Sequence, residues 1–185
     1  PCAASNPCNP CNPCSAAEAP ELTPKEAVAA YDCLKADLSA GYAKGKVSEM
    51  ANYTDWQNVA VSPYIAGTHG NRYVNNYVNE IGLEEYKKYE EIGTMPVGSV
   101  VAKDSFSVGG NGYVSAGPMF LMEKMANGFA PASGNWRYSM VMPDGTVFGR
   151  TKGKNSAGVA FCEECHAAVA DEQDFLMLLP EESRK

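Results

Sequence analysis

"MPVGSVVAKDSFSVGGNGYVSAGPMFLMEKM", Met95 to Met125, reads as two strands folded back on each other. A Pro-Gly turn opens it. β-branched and aromatic residues then run to Val108, so 95–108 is expected as a strand. Gly109-Gly110-Asn111-Gly112 is a strong turn signal, and 112–125 follows as a second strand. A hairpin this long needs partners to be stable, and they lie just downstream. "NWRYSMVM" (135–142) is a third strand, "PDG" (143–145) a turn, and "TVFGR" a short fourth.

Upstream the pattern changes. "TPKE" places Thr23 as an N-cap, Pro24 at the first helical position and Glu26 as the capping-box partner. Val28, Tyr31, Leu34, Leu38 and Tyr42 then recur on one helical face, and Gly41 and Gly45 mark its end. "WQNVAVSPYIAG" (56–67) reads as extended. Residues 71–92 mix helical and extended signals, with Leu83 to Glu91 the more helical part. "GVAFCEECHAAVADEQDFLM" is a short helical region near the C-terminus. Helix, mixed stretch, antiparallel strands, helix: the order implies an α+β fold, a meander of antiparallel strands with helices packed on one side.

The chain of 185 residues is long enough for one good core. Two regions are expected: a Cys/Pro/Asn-rich tail over 1–20 with little to bury, and a single domain over 21–185. The net charge of −7 and pI of about 4.9 disfavour nucleic acid and anionic membrane surfaces, both of which attract basic patches. No apolar run approaches the roughly 18 residues of a transmembrane segment. The chain starts at Pro1 in a polar segment and reads as a mature form with its signal removed. Seven cysteines point to an oxidising compartment, so a periplasmic or extracellular location is expected.

"CEECH", Cys162 to His166, carries the chemistry. C-x-x-C-H is the attachment signature of c-type haem. Cys162 and Cys165 lie one helical turn apart, so both sulfurs can form thioethers to the haem vinyl groups. His166 follows directly and can place its imidazole on the iron. A thioredoxin-like site would need a βαβ context, and zinc would need two further ligands. One covalent haem c is therefore the expected cofactor. The other axial position decides between an open iron that binds small molecules and a six-coordinate electron carrier. His69 in "AGTHGNRY" is a possible sixth ligand, the bland alternative being a turn residue between Gly67 and Gly70. Met119, Met122, Met125, Met140 and Met142 are sulfur alternatives, each with core packing as its plainer role.

"NPCNPCNPC", Asn6 to Cys14, is a different device. It has no histidine, and its proline rhythm favours polyproline II, where cysteines three residues apart stand about 9 Å apart along one edge. Disulfide Cα atoms lie within about 7 Å. On a regular ladder Cys8, Cys11 and Cys14 must then pair with Cys2, with Cys33 or with another chain. Asn-Pro turns would instead let Cys8 close on Cys11. Five cysteines outside the haem pair is an odd number, so a disulfide-linked homo-oligomer stands beside intrachain pairing. An iron–sulfur reading lacks its fourth cysteine, because Glu18 stands there.

From about Trp56 to the end, the chain resembles the cytochrome P-460 and cytochrome c′-beta family. The matching pieces are "RYVNN" (72–76), "PVGSVVAKDSF" (96–106), "LMEKM" (121–125), "GNWRYSMVMPDGT" (134–146) and the closing "CEECH". The resemblance implies a monohaem α+β protein built on an antiparallel sheet, usually dimeric. One branch oxidises hydroxylamine with a haem cross-linked to a lysine, and Lys103 stands at that position. The other keeps an apolar distal pocket and binds nitric oxide; Phe106 and Phe120 are the candidates to line it, with Glu123 a candidate proton-handling carboxylate. A strand lysine beside an acid, as in Lys103-Asp104, is more commonly solvated. The expected function is thus an exported redox cytochrome that binds or oxidises small nitrogen species, the resemblance implying hydroxylamine oxidation as the enzymatic activity. The alternative is an electron-transfer cytochrome, with His69 or methionine as sixth ligand and a redox partner protein, assembled through the tail.

Overall fold

The computed structural model describes residues 21–185. Helix α1 spans Pro24–Ala43. Its start follows the expected chemistry: the Thr23 side chain accepts from the Glu26 backbone N–H, and the Glu26 carboxylate accepts from the Thr23 backbone N–H in return. Two short strands, β1 (Gln57–Asn58) and β2 (Tyr64–Ala66), lead into β3 (Arg72–Val78). Helix α2 (Glu80–Tyr86) follows, capped by the Asn79 side chain accepting from the Gly82 N–H. The main strands are β4 (Val100–Val108), β5 (Val114–Ala116), β6 (Met119–Lys124), β7 (Trp136–Val141) and β8 (Val147–Arg150). Helices α3 (Ala160–His166) and α4 (Ala170–Gln173) close the chain. No helix among the described residues is long and apolar enough to cross a membrane.

The mixed stretch at 71–92 resolves into a strand and then a helix. The expected strand at 112–125 is two strands, β5 and β6, laid end to end along the same edge of β4. Pro118 has no N–H to offer the ladder. Gly117 is pressed so closely on β4 that a Cβ there would stand 2.3 Å from the Ser105 Oγ. The break is the bulge that this approach requires.

The sheet is antiparallel throughout, in the order β1-β3-β4-β6-β7-β8, with β2 beside β3 and β5 beside β4. The α+β class is as expected, but the helices cover both faces instead of one. Side chains alternate along a strand, so odd and even residues of β4 serve different layers. Val100, Ala102 and Phe106 meet Ala27, Tyr31, Leu38 and Tyr42 of α1. Val101 faces the other way, with Tyr86 of α2, Trp136 and Tyr138 of β7, and Leu176 and Leu179 of the C-terminal segment. A parallel-sheet protein would need such double coverage; here a single strand register supplies two cores.

The inward stripe of α1 lies slightly off the expected one. Ala27 and Ala30 join Tyr31, Leu38 and Tyr42 inside, while Val28 is 38% exposed. Gly41 does not end the helix, which continues to Ala43. It is small because the β7–β8 turn lies against it: a Cβ at Gly41 would stand 2.1 Å from the Pro143 carbonyl oxygen. Gly41→Ala is expected to push α1 off that turn and lower the unfolding free energy by about 2 kcal/mol. Thermal and urea melts against wild type measure it, and an unchanged midpoint would mean that the helix slides freely there.

The α1-side layer also holds a buried acid. Asp104 accepts hydrogen bonds from Tyr31 Oη at 2.5 Å, Tyr53 Oη at 2.9 Å and Asn75 Nδ2 at 3.4 Å. Tyr31 and Tyr77 hydroxyls are 2.6 Å apart. Burial pushes the Asp104 carboxyl up to about 6 even though its donors pull it down. Cys33 lies on the exposed side of α1. The other disulfide candidates, Cys2, Cys8, Cys11 and Cys14, lie outside the described residues, as does the polyproline ladder.

Candidate functional site

On the face away from α1 the sheet and the C-terminal helices line a cleft, the concave setting in which small molecules and cofactors bind. Strand alternation chooses its floor. Val101 and Lys103 of β4, Phe120 and Met122 of β6, and Tyr138 of β7 line it. Helix α3 lies across one side and presents Cys162, Cys165 and His166 to the same space.

Both cysteines are free thiols, so the pair is not a disulfide in this state. Burial raises the Cys162 thiol to about 11, which keeps it protonated at neutral pH. His166 is buried at 7% exposure. Its Nδ1 stands 2.6 Å from the Phe175 carbonyl oxygen. A carbonyl only accepts, so Nδ1 carries the proton and donates. The lone pair of Nε2 is left for a metal, the arrangement typical of ligating histidines. Burial lowers the imidazole to about 4, against the opposing pull of that hydrogen bond, so it is neutral and available as a ligand at pH 7.

Lys103 is not a solvated strand lysine. It is 8% exposed, and its Nζ reaches the Met177 carbonyl, at 3.5 Å. Burial lowers it to about 8, so the amine is still mostly protonated at pH 7 but loses its proton far more readily than a solvated lysine. His69 faces the same cleft from a one-turn 3₁₀ helix, Gly67–His69. Its ring packs edge-on to Phe120 with centroids 4.7 Å apart, and its Nδ1 is 3.3 Å from Thr68 Oγ1. Burial lowers it to about 3, assisted by Lys103 and His166.

The structure therefore brings Cys162, Cys165, His166, Lys103, His69 and Phe120 to one cleft. It separates two other candidates from them. Phe106 lies on the α1 side of the sheet, stacked on Tyr73 at 5.1 Å, because three residues along a strand is an odd step from Lys103. Glu123 is paired with Arg137 across the β6–β7 ladder, and Arg137 in turn meets Glu49. That carboxylate is committed to a salt-bridge network away from the cleft. Of the five methionines considered as ligands, Met122 lines the cleft, while Met119 is in the α1-side core.

Among the lining residues that sequence reasoning missed, Met177 and Tyr138 bear most directly on the haem motif. Met177 sits 4.0 Å, sulfur to sulfur, from Cys165. Tyr138 packs against the His166 ring at 5.3 Å, and its buried hydroxyl has no hydrogen-bond partner among the described residues. Such an orphan is costly unless something else completes it. The strand pattern marked Tyr138 as a sheet residue, and only the alternation relative to Lys103 through the β4–β6–β7 register could have assigned its face.

These features fit a covalently held haem: two thiols and a neutral imidazole on one wall, apolar walls opposite, and an unmatched buried donor between them. The haem would be held by Cys162, Cys165 and His166. The sequence matches the model of the cytochrome P460 family over residues 50–177. No curated protein matches it.

Proposed function

The chain belongs to the cytochrome P460 family, a family of haem proteins with redox function, and from that premise we propose that it carries one haem c whose iron binds or oxidises small nitrogen species. Cys162 and Cys165 would hold the haem through thioethers, and His166 Nε2 would ligate its iron. When bound, the haem supplies an iron centre able to hold a small molecule and exchange electrons with it. The protein supplies the surroundings. Val101, Phe120 and Met122 keep bulk water off one side of the cleft, which strengthens polar interactions inside it. The Phe175 carbonyl fixes the His166 tautomer.

The observation that carries the choice of substrate class is Lys103. A buried amine in the cleft wall, with no carboxylate partner among the described residues, has no stabilising reason to be there. It supports the branch in which a lysine is cross-linked to haem and hydroxylamine is oxidised. Within this reading the protein is exported, which suits its cysteine-rich composition, and it assembles with copies of itself or a redox partner through the tail.

His69 supports a second reading. Its imidazole is neutral and shares the cleft with His166, so it is placed to be the sixth ligand of an electron-transfer haem. Two measurements separate the readings. In the first, the ferrous spectrum is high-spin and shifts with carbon monoxide. Digestion then yields a Lys103 peptide joined to the haem peptide, and Lys103→Met returns an ordinary c-type Soret band. In the second, sharp low-spin bands ignore carbon monoxide until His69→Ala opens the iron. A Soret band unmoved by Lys103→Met, with haem peptides free of Lys103, would sink the cross-link.

A further inference from the structure

The carbonyl that orients His166 belongs to an unusual turn. Asp174 and Phe175 both have left-handed backbones, with φ of 46° and 65°. A bulky non-glycine residue there costs on the order of 1 kcal/mol or more, and two in succession persist only when their surroundings hold them. Here every handle of the turn is held. The Asp174 carboxylate accepts from Lys124 Nζ at 2.6 and 2.7 Å and from the Met95 backbone N–H at 2.8 Å. The Asp174 carbonyl accepts from the Trp136 indole N–H at 2.7 Å. The Phe175 ring occupies the place of a side chain at Gly134, where a Cβ would stand 2.6 Å from it. Lys124 is itself buried, donating to the Gly134 carbonyl at 2.8 Å and lying 5.0 Å from the Trp136 ring centre.

We propose that Lys124, Asp174 and Trp136 are positioning residues for the axial ligand: they clamp the strained turn so that the Phe175 carbonyl meets His166 Nδ1 at a fixed, short distance. A histidine that donates strongly through Nδ1 is a more basic ligand through Nε2 and gives more electron density to the iron. The clamp would thus set the reduction potential from residues outside the cleft lining. A buried ion pair alone would be weak evidence of any purpose. Its aim at the backbone beside the ligand's only hydrogen-bond acceptor is what assigns one.

The inference rests on haem attachment at Cys162–His166. If that reading fails, wild type shows no covalent haem absorbance and the failure is visible before any variant is made. With haem-loaded protein, potentiometric titration of Asp174→Asn and Trp136→Phe is expected to shift the midpoint positive. The expected size is a roughly threefold change in the oxidised-to-reduced ratio, about 30 mV for one electron. The iron–histidine stretch of the ferrous protein in resonance Raman is expected to fall with it, read in a His69→Ala background if wild type is six-coordinate. Lys124→Arg, which keeps the charge, is expected to retain most of both. Should Asp174→Asn fail to mature, Trp136→Phe, which removes only the indole donor, carries the test. Unmoved potential and stretch alongside a lowered melting temperature would overturn the proposal and leave the clamp a purely structural tie.

Discussion

Cys162→Ala with Cys165→Ala, made in a Lys103→Met background so that no lysine cross-link can substitute, is expected to yield a chain that keeps no haem through denaturing electrophoresis, where the wild-type band stains for haem peroxidase activity. The loss is all or none, because under the proposed attachment no other covalent bond to the haem is then left. Each single variant is expected to retain haem through its remaining sulfur at lower yield. The two sulfurs are not equivalent: Cys162 is half-buried against the Trp136–Tyr138 layer, whereas Cys165 is exposed beside Met177. Cys162→Ala should therefore also loosen the local packing. A triple variant that still holds haem through boiling in detergent would overturn attachment at Cys162 and Cys165, whereas haem kept only when Lys103 is present would report the cross-link. Imidazole loss is a separate matter. His166→Ala leaves the thioethers and is expected to leave the haem in place with an altered spectrum.

The second large effect is on stability and comes from Asp104. Its carboxyl moves from an ordinary 3.8 to about 6 in the folded protein. The folded state then binds this proton more tightly than the unfolded state does. Stability accordingly falls as pH rises through the window from about 4 to about 6, and stays lower above it. The shift corresponds to about 3 kcal/mol. The two imidazoles of the cleft run the other way: their lowered values make the fold lose stability as pH falls below the ordinary histidine range. The informative quantity is thus the difference between wild type and Asp104→Asn. Asparagine keeps an acceptor for the tyrosine hydroxyls and has no charge to bury. Urea unfolding at several pH values is expected to show wild type losing about 3 kcal/mol relative to the variant between pH 4 and pH 7. Parallel profiles would mean that the tyrosine donors offset the burial cost completely.

Much of this arrangement was legible in the sequence, and what was not shares one cause. Thr23 and Glu26 cap their helix through contacts three residues apart, and C-x-x-C-H sits within one turn, so local spacing sufficed for both. Lys103 was placed by its resemblance to a family segment. Phe106 and Phe120 looked alike because each is an aromatic residue on a strand. Their separation depends on parity: Phe120 pairs with Lys103 across the ladder, and Phe106 is an odd step from it. Glu123 pairs with Val100 and so shares the α1-side face. These assignments needed the β4–β6 register, which the split at Gly117 and Pro118 conceals. The contacts of Tyr138 with His166, and of Lys124 with Asp174, join residues 28 and 50 positions apart, respectively. No short-range pattern carries such pairings, since they exist only once the C-terminal segment has folded over the sheet.

The neighbours Lys103 and Asp104 stand on opposite faces of one strand, a base in the cleft and an acid among tyrosines. That places a frame, in the sense of a reading frame, on the centre of the molecule. Losing or gaining one residue between Val100 and Lys103 would exchange the two, sending the carboxyl to the thiols and the amine to the phenols, and would invert each side chain in the shifted part of the strand. Substitutions along β4 are therefore answerable one by one, but its length is not negotiable. Descendants of this chain can drift in the turn at Gly109–Gly112 while the count of residues in that strand stays put.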